Sequence, residues 1–336
     1  MKRKVNFPFA FRSFFRNFGA AMRKMLPLWM ICVLLLAACG QSYEETKRHN
    51  RQQREDAQRR DSAALKIAVM PTLDCLPLYV ARHYQLLDTL RGGVRLKYYT
   101  AQMDCDTAFE RGRVEGMVTD LVRAARIAGR GTKVRYVAAT NAYWLLVTNR
   151  NARIRQPRQL TDKMVAMTRY SATDLLTDGM VERAHMDGEH LFKLQVNDVN
   201  VRLQMLQNNE IDALWLTEPQ ATMALQYRHV AIDDSRRAGV RLGVLAFREQ
   251  EMRHPERASQ LALLVKAYDQ ACDSINKHGV RYYGSLIADY CRVRPEVADS
   301  LPADLRYEHA RGPRQQDVEA AEQWLRKQGI PTGKKQ

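Results

Sequence analysis

The sequence predicts a two-lobed α/β fold, each lobe a mainly parallel sheet flanked by helices. Three observations lead there. Short runs of branched residues alternate with helical stretches, the pattern of crossover connections between parallel strands. About 270 residues follow a polar stretch that ends near residue 64, more than one core ordinarily holds. The alternation also restarts near Met164 and ends in a strand-like run at residues 241–247, which reads as the chain returning to its first lobe.

The start of the chain is a targeting segment. Residues 1–38 carry seven Lys or Arg and no acid, and they end in an apolar run from Leu26 to Ala38. That run is too short for a hydrocarbon core of about 30 Å, which takes about 20 residues. A basic flank, a short apolar core and small residues before a break describe a secretory signal peptide. The break, Leu36-Ala37-Ala38-Cys39-Gly40, resembles the lipobox of bacterial lipoproteins. Small side chains at 37 and 38 suit a peptidase, and the Cys39 thiol is the atom that would take the lipid. Met22 and Met25 are alternative starts to Met1. Without residues 1–38 the formal charge falls from +16 to +9. The remaining Lys and Arg are scattered and interleave with no aromatic patch, so nucleic acid is not the expected partner. Residues 39–64 follow as the lipidated Cys39 and a polar, flexible tether, part of which is open to forming a solvated helix.

The body opens with a strand at 65–70, halted by Pro71, and a helix entered through Pro77. Gly92-Gly93 precedes a second strand at 94–99. A polar loop at 100–106 leads to a short helix around 108–110. A third strand at 116–119 feeds a helix at 121–127, and 134–139 and 143–148 are further strands. The second pattern runs through a strand at 164–167, a helix from near Ser171, a strand at 192–196 and a helix around 202–208. A strand at 213–216, a helix after Pro219 and a strand at 229–232 complete it. From Pro255 onward the chain reads as helical. The expected division is 65–150 plus about 235–336 for the first lobe, and about 151–234 for the second.

Cys32 falls in the targeting segment and Cys39 is the lipid site, leaving Cys75, Cys105, Cys272 and Cys291. An even number outside the cytoplasm permits disulfides, and Cys75–Cys105 with Cys272–Cys291 is one pairing among three; free buried thiols stand equally open. His185 and His190 lack a third ligand, so no metal site is expected. No P-loop or G-x-S-x-G elbow occurs, and neither catalytic residues nor a cofactor is expected.

Four segments, in order, resemble the type II periplasmic substrate-binding proteins of ABC importers, in the branch serving thiamine-pyrimidine precursors, alkanesulfonates, taurine and nitrate. Leu76-Pro77-Leu78-Tyr79-Val80-Ala81-Arg82 is similar to that family's first helix. Arg111-Gly112-Arg113-Val114-Glu115-Gly116-Met117-Val118-Thr119-Asp120 is similar to its turn, strand and ligand loop. Ile154, Pro157, Leu160, Lys163, Val165 and Ala166 fit I-x-x-P-x-x-L-x-x-K-x-V-A. Residues 206–219, from Leu206 through Ile211-Asp212-Ala213 to Glu218-Pro219, fit the fourth. Gln85 and Asn209 stand where the family often has Gly, and Glu115 where it often has Asp. The resemblance implies a hinge that closes two lobes over one ligand, docking on a permease and its ATPase, a monomer, and an extracytoplasmic protein held at a membrane by the lipid on Cys39. The alternatives on the same fold are a ligand-sensing receptor for a membrane kinase or, against the lipobox, an enzyme of pyrimidine or menaquinone type.

In parallel sheets ligands bind where strand ends lead into helices. Thr72 and Asp74 follow the first strand and Thr119 and Asp120 the third, each open to plain turn or capping roles as well. Gln102 lies on the second loop. Tyr170, Ser171 and Thr173 start a second-lobe helix, where the free N–H groups suit an anion and Ser171 reads equally as a plain N-cap with no ligand. Glu218 faces the interlobe region by analogy, and Asn141 and Tyr143, with Trp144, offer an aromatic wall. The acids Asp74, Asp120 and Glu218 favour a ligand with amino or ring N–H donors, a zwitterion among them; the helix start at Ser171 favours an anion.

Overall fold

A computed structural model of the chain describes residues 43–59, 61–87 and 93–333. The expected signal segment and Cys39 lie outside them. Residues 43–59 form helix α1, exposed at every position and tied along its own surface by Arg51–Glu55 at 3.0 Å. No helix among the described residues is long and apolar enough to cross a membrane.

The body from Ala63 onward alternates strand and helix. Its elements are β1 (Leu65–Val69), α2 (Leu76–His83), β2 (Val94–Tyr98), α3 (Gln102–Glu110), β3 (Gly116–Asp120), α4 (Leu121–Gly129), β4 (Val134–Ala139) and β5 (Leu145–Thr148). Then come β6 (Lys163–Met167), α5 (Ala172–Arg183), β7 (Leu191–Gln195), α6 (Val199–Gln207), β8 (Ala213–Leu216), α7 (Gln220–Gln226), β9 (Val230–Asp234) and β10 (Gly243–Arg248). The chain ends in α8 (Pro255–His278), α9 (Gly284–Cys291), α10 (Glu296–Asp299) and α11 (Gln315–Lys327).

Two five-stranded sheets result, ordered β2-β1-β3-β10-β4 and β7-β6-β8-β5-β9. In the first, β1 runs parallel to β2 and β3, while β10 lies antiparallel between β3 and β4. The second repeats the plan, with β6 parallel to β7 and β8 and with β5 antiparallel between β8 and β9. Each lobe thus receives, as its antiparallel insert, the strand that follows a crossing of the chain. Strands at the sheet centres are apolar on both faces because helices cover both sides; β8 (Ala-Leu-Trp-Leu) is buried throughout.

Two expectations change, and one open alternative is decided. Residues 143–148 were assigned to the first lobe, whose boundary was set at 150, but β5 pairs in the second sheet, so the first crossing falls at 140–144. The loop expected at 100–106 is mostly helix: α3 starts at Gln102, and Asp104 suits its positive first turn. Cys75, Cys105, Cys272 and Cys291 are all unbonded, buried thiols rather than disulfides. Three of the four sulfurs sit in hydrogen bonds: Met70 N–H donates to Cys75, Cys105 donates to Met70 Sδ, and Cys272 donates to the Glu308 carbonyl.

Helix α8 covers α2, and α11 lies along α4. Trp324 Nε1 and Gln328 Nε2 of the tail reach the Asp178 carboxylate on α5, at 2.9 and 3.1 Å, so the last segment touches both lobes.

Candidate ligand site between the two sheets

The carboxyl ends of β1 and β3 face those of β6 and β8, and the loops that follow them meet. Contacts cross the seam at several points. Leu73 N–H donates to the Glu218 carbonyl at 2.9 Å, and Gln220 Nε2 donates to the Pro71 carbonyl at 2.7 Å. Ala101 and Asp198 form an isolated antiparallel bridge. The Ala172 N–H at the start of α5 faces the Asp120 carboxylate. The strand-end loops of the two lobes are thus in direct contact.

Asp120 illustrates how the sequence builds the seam. It ends β3, caps α4 by accepting from Arg123 N–H at 3.0 Å, and is 2 % exposed. Burial pushes its pKa up to about 6, and Arg123 opposes the rise. Its carboxylate lies towards the start of α5, the positive end of that helix. Asp74 also has its pKa raised by burial, against a hydrogen bond from Thr72, and its Oδ1 has no partner. Tyr307 donates to the Leu73 carbonyl at 2.9 Å and pins this loop from the C-terminal side.

Glu218 enters α7 through a cis Glu218–Pro219 bond. Its Oε2 accepts from Thr222 N–H at 3.0 Å and its Oε1 from the Tyr143 hydroxyl at 2.8 Å. Burial and Glu218 drive the Tyr143 pKa upward, and the Arg236 guanidinium lies 4.2 Å from the ring centroid. Outside Tyr143, a cavity of about 510 Å³ opens between the two crossings of the chain and the segment around Arg306.

The sequence-derived residues divide. Thr72, Asp74, Thr119, Asp120, Tyr143 and Glu218 lie at the seam or against it. Gln102 joins them indirectly, accepting from Arg123 Nη1 at 3.2 Å. Asn141 instead lines the outer cavity and donates to the Arg306 carbonyl at 3.2 Å. Ser171 and Thr173 spend their hydroxyls locally: Ser171 Oγ donates to the Thr168 carbonyl at 2.6 Å, and Thr173 Oγ1 accepts from Thr168 N–H at 2.9 Å. Tyr170 N–H donates to Asp174 at 2.8 Å, with its ring against Arg169.

Sequence reasoning missed Arg123, Arg202, Gln220 and Tyr307. Arg123 is 1 % exposed, paired with Asp106 at 2.6 Å, and Arg126 meets the same carboxylate at 2.7 Å. Buried polar atoms without a partner gather along the seam, among them Asp74 Oδ1, Thr119 Oγ1, Arg202 Nε and Gln220 Oε1. Native interiors leave few such atoms, so a cluster at facing strand ends marks a place where a solute or water would complete the bonds.

No family model matches the sequence, and no curated protein matches it. Solved structures do. The alkanesulfonate-binding protein SsuA from Xanthomonas axonopodis pv. citri, bound to MOPS, aligns with a TM-score of 0.66 at 13 % identity, over 80 % of this chain and 94 % of that one. A ligand-binding component of an ABC-type import system from Staphylococcus aureus, with zinc bound, gives 0.68 at 14 % over the same shares. The nitrate-binding protein NrtA from Synechocystis PCC 6803 gives 0.62 at 12 %, over 76 % of this chain and 74 % of that one. The fold is the two-lobed periplasmic-binding-protein fold.

Proposed function

We propose that the chain is the solute-binding component of an ABC importer, capturing a small polar molecule between its lobes without chemical turnover. The observation that carries this reading is the seam: acids and unsatisfied polar atoms from both sheets converge where the two lobes touch. A ligand that satisfies those groups from both sides stabilises the closed arrangement over the open one, and closure is what a permease would read. Asp74, Asp120 and Glu218 favour a solute bearing N–H donors. Asp120, lying towards the start of α5, disfavours a ligand whose anion would sit there. Cys39 is the lipid attachment point that keeps the protein at the membrane, on the extracytoplasmic side.

Native mass spectrometry of the full chain, purified in detergent, tests the reading. It should show one small molecule released at 1:1 stoichiometry, and Asp120→Ala and Glu218→Ala should each weaken its rebinding at least roughly tenfold. A bare mass, with rebinding of nothing from a cell extract, would refute it.

A further inference from the structure

We infer that Arg202 holds the anionic group of the bound solute, so the ligand is a small zwitterion with its carboxylate on Arg202 and its N–H donors towards the seam acids. This inference rests on the solute-binding reading and adds a substrate class to it.

Helix α6 buries Val199, Arg202, Leu203 and Leu206 on one face. Three of those positions are apolar and the fourth is an arginine only 4 % exposed. Its one hydrogen bond runs from Nη1 to the Trp215 carbonyl at 3.2 Å, and Nε has no partner. Among the described residues no carboxylate lies within ion-pair distance of it. Asp198, one turn earlier, spends Oδ1 on the Asn200 and Val201 N–H groups at 2.8 and 3.2 Å. Arg123 is as deeply buried but is matched by Asp106. A guanidinium does not shed its proton in a protein, so a buried one without a direct ion pair is expensive.

The location points to a ligand. Asp198 bridges to Ala101 of the first lobe. Asn200 Oδ1 accepts from Gln220 Nε2 at 3.4 Å, the same amide that donates across the seam to Pro71. The first turn of α6 therefore lies at the lobe contact. Asp198 acts on Arg202 only from beyond ion-pair distance, so the guanidinium fork itself is left unfilled. A carboxylate supplies a planar pair of acceptors that matches the guanidinium fork.

The test is thermal denaturation of the full chain and of Arg202→Met, titrated with a matched series: α- and ω-amino acids, the carboxylic acids lacking the amine, and the amines lacking the carboxylate. The ligand-free variant should melt at or above the wild-type temperature, because a buried charge without a direct ion pair has been removed. Wild type should be stabilised by the amino acids, and the variant should lose roughly thirtyfold or more in apparent affinity for every carboxylate-bearing compound while answering the amines as before. Arg202→Lys, keeping the charge without the fork, should recover part of the loss. A variant that melts lower than wild type, or answers carboxylates as wild type does, overturns the assignment of Arg202 and leaves solute binding standing. If no compound moves either protein, the zwitterion class falls, and the native mass measurement judges solute binding separately.

Discussion

Gln85 and Asn209 meet the same backbone demand. Both have positive φ, +56° and +64°, just past the ends of α2 and α6. Each helix closes with paired bonds: Leu86 N–H to Ala81 and Gln85 N–H to Arg82 in one, Glu210 N–H to Met205 and Asn209 N–H to Leu206 in the other. That is the Schellman closure, in which glycine is favoured because it has no Cβ to crowd the carbonyl. Gln85→Gly should therefore stabilise the protein by up to about 1 kcal/mol, and Asn209→Gly by less, since asparagine tolerates the left-handed region. Chemical denaturation reads both, and a loss of stability at Gln85 would contradict the argument. Asp120 gives a pH prediction. Its folded pKa, about 6, exceeds the ordinary value of 3.8, so between those values the folded state holds the extra proton and stability falls as pH rises. Its contribution is at most roughly 3 kcal/mol. Asp120→Asn should flatten that fall relative to wild type; an unchanged slope would mean the carboxylate is not held as described.

At the scale of elements, close approach explains the glycine that opens β3. A Cβ on Gly116 would lie 2.5 Å from the Phe247 ring on the paired strand β10. Gly116→Ala should cost about 1–3 kcal/mol, and Phe247→Leu in the same chain should recover part of it. Equal stability of Gly116→Ala and wild type would show that the ring gives way freely. The order of elements was legible in the residues because alternation of branched runs and helical stretches is a local signal. Sheet membership was less so: β5 (Leu-Leu-Val-Thr) carries no mark of which sheet it joins, and pairing with β8 and β9 decides it. Arg202 was legible in retrospect, as a charge at i+3 in the stripe Val199, Leu203, Leu206. The capping of α5 by Ser171 is a local matter and was readable as one alternative. That Asp120 from the other lobe faces the same helix end is a long-range fact that no local pattern carries. The bonding of Cys75 and Cys105 to Met70 rather than to each other is likewise a matter of packing.

On the scale of the whole molecule, the proposed function requires an anchor, a body and a closing motion. Radiolabelled palmitate should enter the wild-type chain and not Cys39→Ala; label in both, or in neither, would remove the anchor from the account. The central claim is that a solute holds the two lobes together. It is tested most directly by Förster transfer between dyes placed at two exposed positions, Glu256 on α8 in the first lobe and Glu182 on α5 in the second. The chain is unfolded, freed of small molecules and refolded, and the small-molecule fraction it released is then added back. A saturable change in transfer efficiency on addition, absent in the double variant Asp120→Ala, Glu218→Ala, is the predicted result. Efficiency that stays constant from stripped to replenished protein would contradict closure over a ligand.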